Sequence, residues 1–106
     1  MRIAIAATRA EISDDASAQI GDHAGRTPYY LIFDGQGTLV ETISNPFTGT
    51  EHGAGHRTAR MLADKNINLV IAGRFGSAMR EELSERGIKM SEQTGKVQDA
   101  LAAAKT

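Results

Sequence analysis

The chain has no cysteine, two prolines and few aromatic residues (5%) among its 106 residues. Without cysteine there are no disulfides, and any metal must be held by imidazole, oxygen ligands or the backbone instead of thiolate. Ordinary cysteine-ligated iron–sulfur sites are therefore excluded. Long apolar runs are absent too: the longest, such as Leu69 to Ala72, fall far short of the roughly 18 residues that cross a bilayer, so no membrane span is expected. Neither charge sign dominates. Lys+Arg 12 against Asp+Glu 13 gives a formal charge of −1, which offers no general basic field for nucleic acid but leaves room for a local anion site. Met1 to Ala7 has the flavour of a secretory signal, yet polar Thr8, Arg9 and Glu11 cut its apolar stretch short. A first strand in a cytoplasmic protein is the better expectation.

What is present suits one domain over residues 1–106, since 41% apolar content in a chain of this length fills a single core. Isoleucines alternate with small alanines over Arg2 to Ala6, as in an inner strand covered on both faces. Polar Glu11 to Gly25 has no periodicity and is expected to form a long loop, a place where function tends to concentrate. Tyr29 to Asp34 and Thr38 to Ser44 flank Asp34-Gly35-Gln36-Gly37, which predicts a β-hairpin. Glu41 marks its second arm as an edge strand, and Asn45-Pro46 ends it. Ala54, Thr58, Met61, Leu62 and Lys65 recur at helical spacing, predicting a helix from about Gly55 to Lys65. The apolar run Asn68 to Ala72 predicts a buried parallel strand, Ser77 to Arg86 a helix stopped by Gly87, and Ile88 to Met90 a short strand. Thr94 is placed to cap a last helix that buries Val97, Ala100, Leu101 and Ala104. The class is α/β: a five-stranded mixed sheet, hairpin first and βαβα after it, flanked by helices.

Ligands in such folds gather beyond the carboxyl ends of parallel strands, here the loops after Ala6 and Ala72. Gly73-Arg74-Phe75-Gly76-Ser77 joins a buried strand to a helix, so free N–H groups and the positive helix end could hold an anion, with Arg74 adding a full charge. A plain tight turn explains the same glycines, and neither a Walker loop nor a dinucleotide fingerprint is present. His23 lies in the first loop, and His52 and His56 sit near the entrance of the first helix. One turn apart on one face, the latter two could share a metal, although Gly53 and Gly55 weaken a regular helix there and solvated loop histidines are common. Asp14, Asp15, Asp22 and Glu51 fall in the same loops and could act as acid, base or cation ligands. No nucleophile with a recognisable triad spacing appears. Arg9, Arg26, Arg57 and Arg74 converge on an anion if the loops meet.

Asp22-His23-Ala24-Gly25-Arg26 before an aromatic strand, then Asn45-Pro46, His52-Gly53-Ala54-Gly55 and Val70-Ile71-Ala72-Gly73-Arg74-Phe75-Gly76, resemble in order the landmarks of the dinitrogenase iron–molybdenum cofactor biosynthesis family, of NifX and NifB C-terminal type. Ala24 stands where that family has an aromatic. The resemblance implies a ribonuclease H-like three-layer fold and the binding of an iron–sulfur or molybdenum-containing cluster during cofactor assembly or storage, with cluster donor and acceptor proteins as partners. The cluster region would map to Arg9, His23, Gly25, Arg26, His52, Gly53, Gly55, Gly73, Arg74 and Gly76, with His23, His52 and His56 available to metal. A ribonuclease H nuclease would need carboxylates on its first strand, where this chain has Ile3, Ala4, Ile5 and Ala6. The competing readings are a small hydrolase acting on a phosphorylated ligand and a protein-interaction module using the hairpin edge.

Overall fold

The computed structural model describes residues 1–10, 18–50 and 52–104. Its elements run β1 (Arg2–Ala7), β2 (Tyr29–Asp34), β3 (Leu39–Ser44), α1 (Ala54–Asp64), β4 (Leu69–Ala72), α2 (Ser77–Glu85), β5 (Lys89–Glu92) and α3 (Val97–Ala104). The strands form one mixed sheet in the order β3-β2-β1-β4-β5. β2 lies antiparallel to β1 and β3, whereas β4 lies parallel to β1 and β5. The expected α/β architecture is therefore present, with β1 in the centre. Among the described residues no helix is long and apolar enough to cross a membrane.

The alternation in β1 decides what each face can accept. Ala4 and Ala6 point to one face, where their small side chains leave room for Leu62 of α1 and for Met79 and Leu83 of α2. Ile3 and Ile5 point to the other, where they meet Val97 and Ala100 of α3. β3 is an edge strand as expected, and its Glu41 is itself anchored, accepting from Lys65 Nζ at 2.7 Å and facing Arg2 at 3.6 Å. A charge on an edge discourages pairing with another sheet.

Several boundaries differ from the expectation for local reasons. Lys65 was assigned to the apolar stripe of α1 but lies past its end and turns outward to Glu41. Ile88 belongs to the helix stop and not to β5: its N–H bonds Leu83 O at 3.0 Å while Gly87 N–H bonds Ser84 O at 3.1 Å, with Gly87 at φ 72°. These are the two bonds of a Schellman motif, which buries the residue after the glycine. α3 starts at Val97, so Thr94 falls before the cap position, and Gly95 at φ 106° makes the turn between them.

Candidate functional site

The first loop returns along the carboxyl end of β4. Gly73 N–H bonds Gly21 O at 2.8 Å, Arg74 N–H bonds Asp22 O at 2.7 Å and Ala24 N–H bonds Arg74 O at 3.0 Å, while Gly21 N–H closes onto Ala6 O of β1 at 2.9 Å. Such a zip needs close backbone contact. A Cβ on Gly73 would lie 2.8 Å from both Asp22 Cα and Asp22 O, closer than packed atoms tolerate. Gly73 therefore serves close approach and not a turn, since its φ is not positive.

Buried polar groups fix the next residues. The Gly25 carbonyl accepts from Thr58 Oγ1 at 3.1 Å and from Asn45 Nδ2 at 3.4 Å, and Asn45 Nδ2 also bonds Thr27 O at 3.0 Å. Thr27 Oγ1 donates to Ala7 O at 3.1 Å. Tyr30, fully buried on β2, donates its hydroxyl to Ala24 O, and burial pushes its phenol well above the ordinary range, so it stays a neutral donor. The loop is thus held from β1, β2, the Asn45 corner and α1 together. A segment whose buried polar atoms are paired in this way has one conformation to offer a ligand.

Against this loop rest the starts of two helices. A Cβ on Gly25 would lie 3.1 Å from Gly55 Cα, and one on Gly55 would lie 3.1 Å from Met79 N, so loop, α1 and α2 stack backbone to backbone. Gly53 caps α1 and Gly76 caps α2; neither helix start has a side-chain cap bond or an acidic residue in its first turn. The first intrahelical bonds run from Arg57 N–H to Gly53 O and from Arg80 N–H to Gly76 O. The N–H groups of Ala54, Gly55 and His56, and those of Ser77, Ala78 and Met79, precede them and have no intrahelical acceptor.

A cavity of about 310 Å³ opens at this junction, lined by His23 to Arg26, Gly53 to Gly55, Arg74 and Gly76 to Met79. Among the described residues, no carboxylate is in the lining. His23 and Arg74 stand side by side, with Arg74 Nε 3.3 Å from Nδ1 and Arg74 Nη2 2.9 Å from Nε2. A neutral imidazole offers one acceptor nitrogen, so one of these contacts is a hydrogen bond at a time. Asp22 Oδ2 lies 3.3 Å from His23 Nε2 and 3.4 Å from Arg74 Nη2 at the rim. Arg26 donates to Thr48 O at 3.1 Å.

The structure thus gathers His23, Gly25, Arg26, Gly53, Gly55, Arg74 and Gly76 around one cavity, with Gly73 beneath it. Arg9, His52, His56 and Arg57 are not in its lining. His52 precedes the Gly53 cap, so it is not one helical turn from His56 on a shared face. His56 Nδ1 is engaged by Glu82 Oε1 at 3.2 Å. Among the described residues no three His, Cys, Asp or Glu side chains group to hold a metal, so His23, His52 and His56 are separate candidates and not one cluster. Asp14, Asp15 and Glu51 lie outside the described residues. Sequence reasoning reached the backbone donors up to Ser77 but missed those of Ala54, Ala78 and Met79; the signal was glycine at the start of both helices with no acid in the first turn.

Fold and cleft define a class: a small mixed α/β domain that gathers backbone donors, two arginines and a histidine at one end of its sheet. Sequence comparison is more specific. The family profile described as dinitrogenase iron-molybdenum cofactor matches residues 1–106, and the chain belongs to that family. Among solved structures, the apo form of the orange protein from Desulfovibrio gigas aligns with a TM-score of 0.85 at 24% identity, over 95% of this chain and 83% of that one. A proposed NifB protein from Thermotoga aligns at 0.76 and 29% identity, over 96% and 84%. A proposed dinitrogenase from Methanocaldococcus jannaschii aligns at 0.58 and 17% identity, over 99% and 85%. No curated protein matches the chain.

Proposed function

We propose that the chain binds an anionic metal–sulfur cluster, iron–sulfur or molybdenum-containing, in this cleft and carries it during cofactor assembly or storage. One observation bears most of the reading: two uncapped helix starts meet Arg26, Arg74 and His23 around one cavity. Each helix end supplies about half a positive charge, so the two together are comparable to one further arginine. N–H groups and guanidinium forks suit the sulfides and oxygens of a cluster surface, and the His23 imidazole is a ligand type that metals accept where thiolate is lacking. The cavity sits at the low end of the roughly 300–1,000 Å³ usual for small-ligand sites, a size that suits a compact anion. Family membership supplies the cargo class. Donor and acceptor proteins follow as partners of such a carrier.

Anaerobic titration of the purified protein with iron sulfide and tetrathiomolybdate tests this, following visible absorbance and the metal retained after gel filtration. Wild type and His52→Ala are expected to retain cluster in a fixed ratio, while His23→Ala and Arg74→Ala lose it. Absence of retention in the wild type, or retention unaffected by both cleft substitutions, overturns the assignment. Inorganic phosphate as a competitor separates a general anion site from one selective for metal sulfides.

A further inference from the structure

A second concavity, of about 540 Å³, lies outside the cleft and is lined by Phe47, Arg57, Arg60, Met61, Asp64 and Lys65. Its apolar part is Phe47, held in the corner after β3 by the bond from its N–H to Asn45 Oδ1 at 3.1 Å, and Met61, which packs partly against the core. Around these stand three cations and one carboxylate, in a chain whose formal charge is −1. The neighbouring acids do little to cancel the excess. Glu82, the partner of Arg60 at 3.4 Å, is shared with His56 and Arg86, and Glu41, the partner of Lys65, is shared with Arg2. Arg57 makes no ion pair among the described residues.

We infer that this groove docks a partner protein through an acidic segment carrying an aromatic or aliphatic side chain, which inserts between Phe47 and Met61. Charge complementarity selects the occupant. A local positive excess steers an acidic surface toward it, while the two apolar side chains provide the desolvated contact that charge alone does not. Phosphate backbones would answer the charge but leave the apolar floor of Phe47 and Met61 without a contact, so protein is the favoured class. The position is also informative: Arg57 Nε lies 3.8 Å from where a Cβ on Gly53 would stand, and Gly53 lines the cleft. A partner seated in the groove would border the mouth of the cleft.

The test uses the whole ¹⁵N-labelled chain and three probes: a short glutamate-rich peptide with a central phenylalanine, the same peptide with alanine in its place, and an oligouridylate. The first peptide is expected to move the amide signals of residues 45–50 and 57–65, with binding weakening as salt rises. The alanine peptide is expected to bind several-fold more weakly, and Arg57→Glu to weaken the first peptide by roughly tenfold. Met61→Gln, close in length and milder for folding, is expected to erase the difference between the two peptides. The inference is overturned if the first peptide moves no groove signal, if oligouridylate binds the groove and the peptides do not, or if the groove signals move with protein concentration alone, which would make a second copy the occupant.

Discussion

The two faces of the sheet treat their helices differently. On one face, α1 and α2 both begin at the carboxyl ends of the strands with glycine at the cap position, no side-chain cap and no acid in the first turn. On the other, α3 begins with Asp99 in its first turn and packs Val97 and Ala100 onto Ile3 and Ile5 without lining the cleft. A helix start is stabilised by a capping side chain or an early acid, by about 0.5–2 kcal/mol. Leaving two adjacent starts without either, in contact with arginines, forgoes that stability where an external anion can take the vacant role. The α3 start has its own negative charge and does not line this cleft. The difference is what the proposed anion site at the α1/α2 end rests on.

The strongest way to break this contrast is to disturb what holds the cleft together. Gly73→Ala places a methyl 2.8 Å from two backbone atoms of Asp22, neither of which can rotate away, so loop and strand must separate. A loss of about 2 kcal/mol in urea unfolding is expected from such overpacking, together with loss of cluster retention. A Gly73→Ala protein as stable as wild type would show that the zip between the first loop and β4 is loose. A sharper test converts the start of α2 into one resembling α3. Gly76 has φ −70° and ψ 162°, the extended geometry of a capping residue, and nothing lies within 4 Å of a Cβ built there. Gly76→Asp is therefore expected to stabilise the protein by about 0.5 kcal/mol while lowering cluster or tetrathiomolybdate affinity by at least about tenfold, because the new carboxylate takes the N–H groups and repels the anion. Gain of stability with unchanged binding would separate the α2 start from the site.

These contrasts also show where the sequence was readable. The alternation of Ile3 and Ile5 with Ala4 and Ala6, the turn residues of the hairpin and the stop at Gly87 are local signals, and they yielded the mixed sheet, its central strand and the loops that carry the cleft. His23, Gly25, Arg26 and Arg74 come together at one cavity because those loops both lie at the carboxyl ends of neighbouring strands. The relation of His52 to His56 depends on where α1 begins, which spacing alone leaves open. Gly53 fixes that point in a left-handed conformation, and Glu82, far along the chain, captures His56. Arg9 entered through its place beside the first loop and through the resemblance, and it is not in the cavity lining. The backbone donors of α2 were only half visible, since a missing cap is a negative signal that no residue announces.

Glu82 allows the smallest and most selective test, because it ties together the two helices whose starts form the cleft. It lies on α2 and reaches His56 and Arg60 of α1 as well as Arg86 one turn along its own helix. The Arg86 hydrogen bond does most to hold the Glu82 carboxyl below its ordinary range, helped by His56 and Arg60 and opposed by partial burial. A carboxyl depressed in the folded state favours folding when ionised in both states, and this contribution fades as pH falls through the unfolded value toward the folded one. Glu82→Gln is therefore expected to lower the unfolding midpoint at neutral pH, with the gap to wild type closing as the medium is acidified below the ordinary glutamate range. Asp99 of α3 makes no ion pair among the described residues, so Asp99→Asn should leave a much smaller gap at neutral pH. Equal gaps for the two substitutions, or a Glu82→Gln gap that does not change on acidification, would mean that the α1/α2 pair is held by its apolar contacts alone, and that the cleft geometry does not depend on this charge cluster.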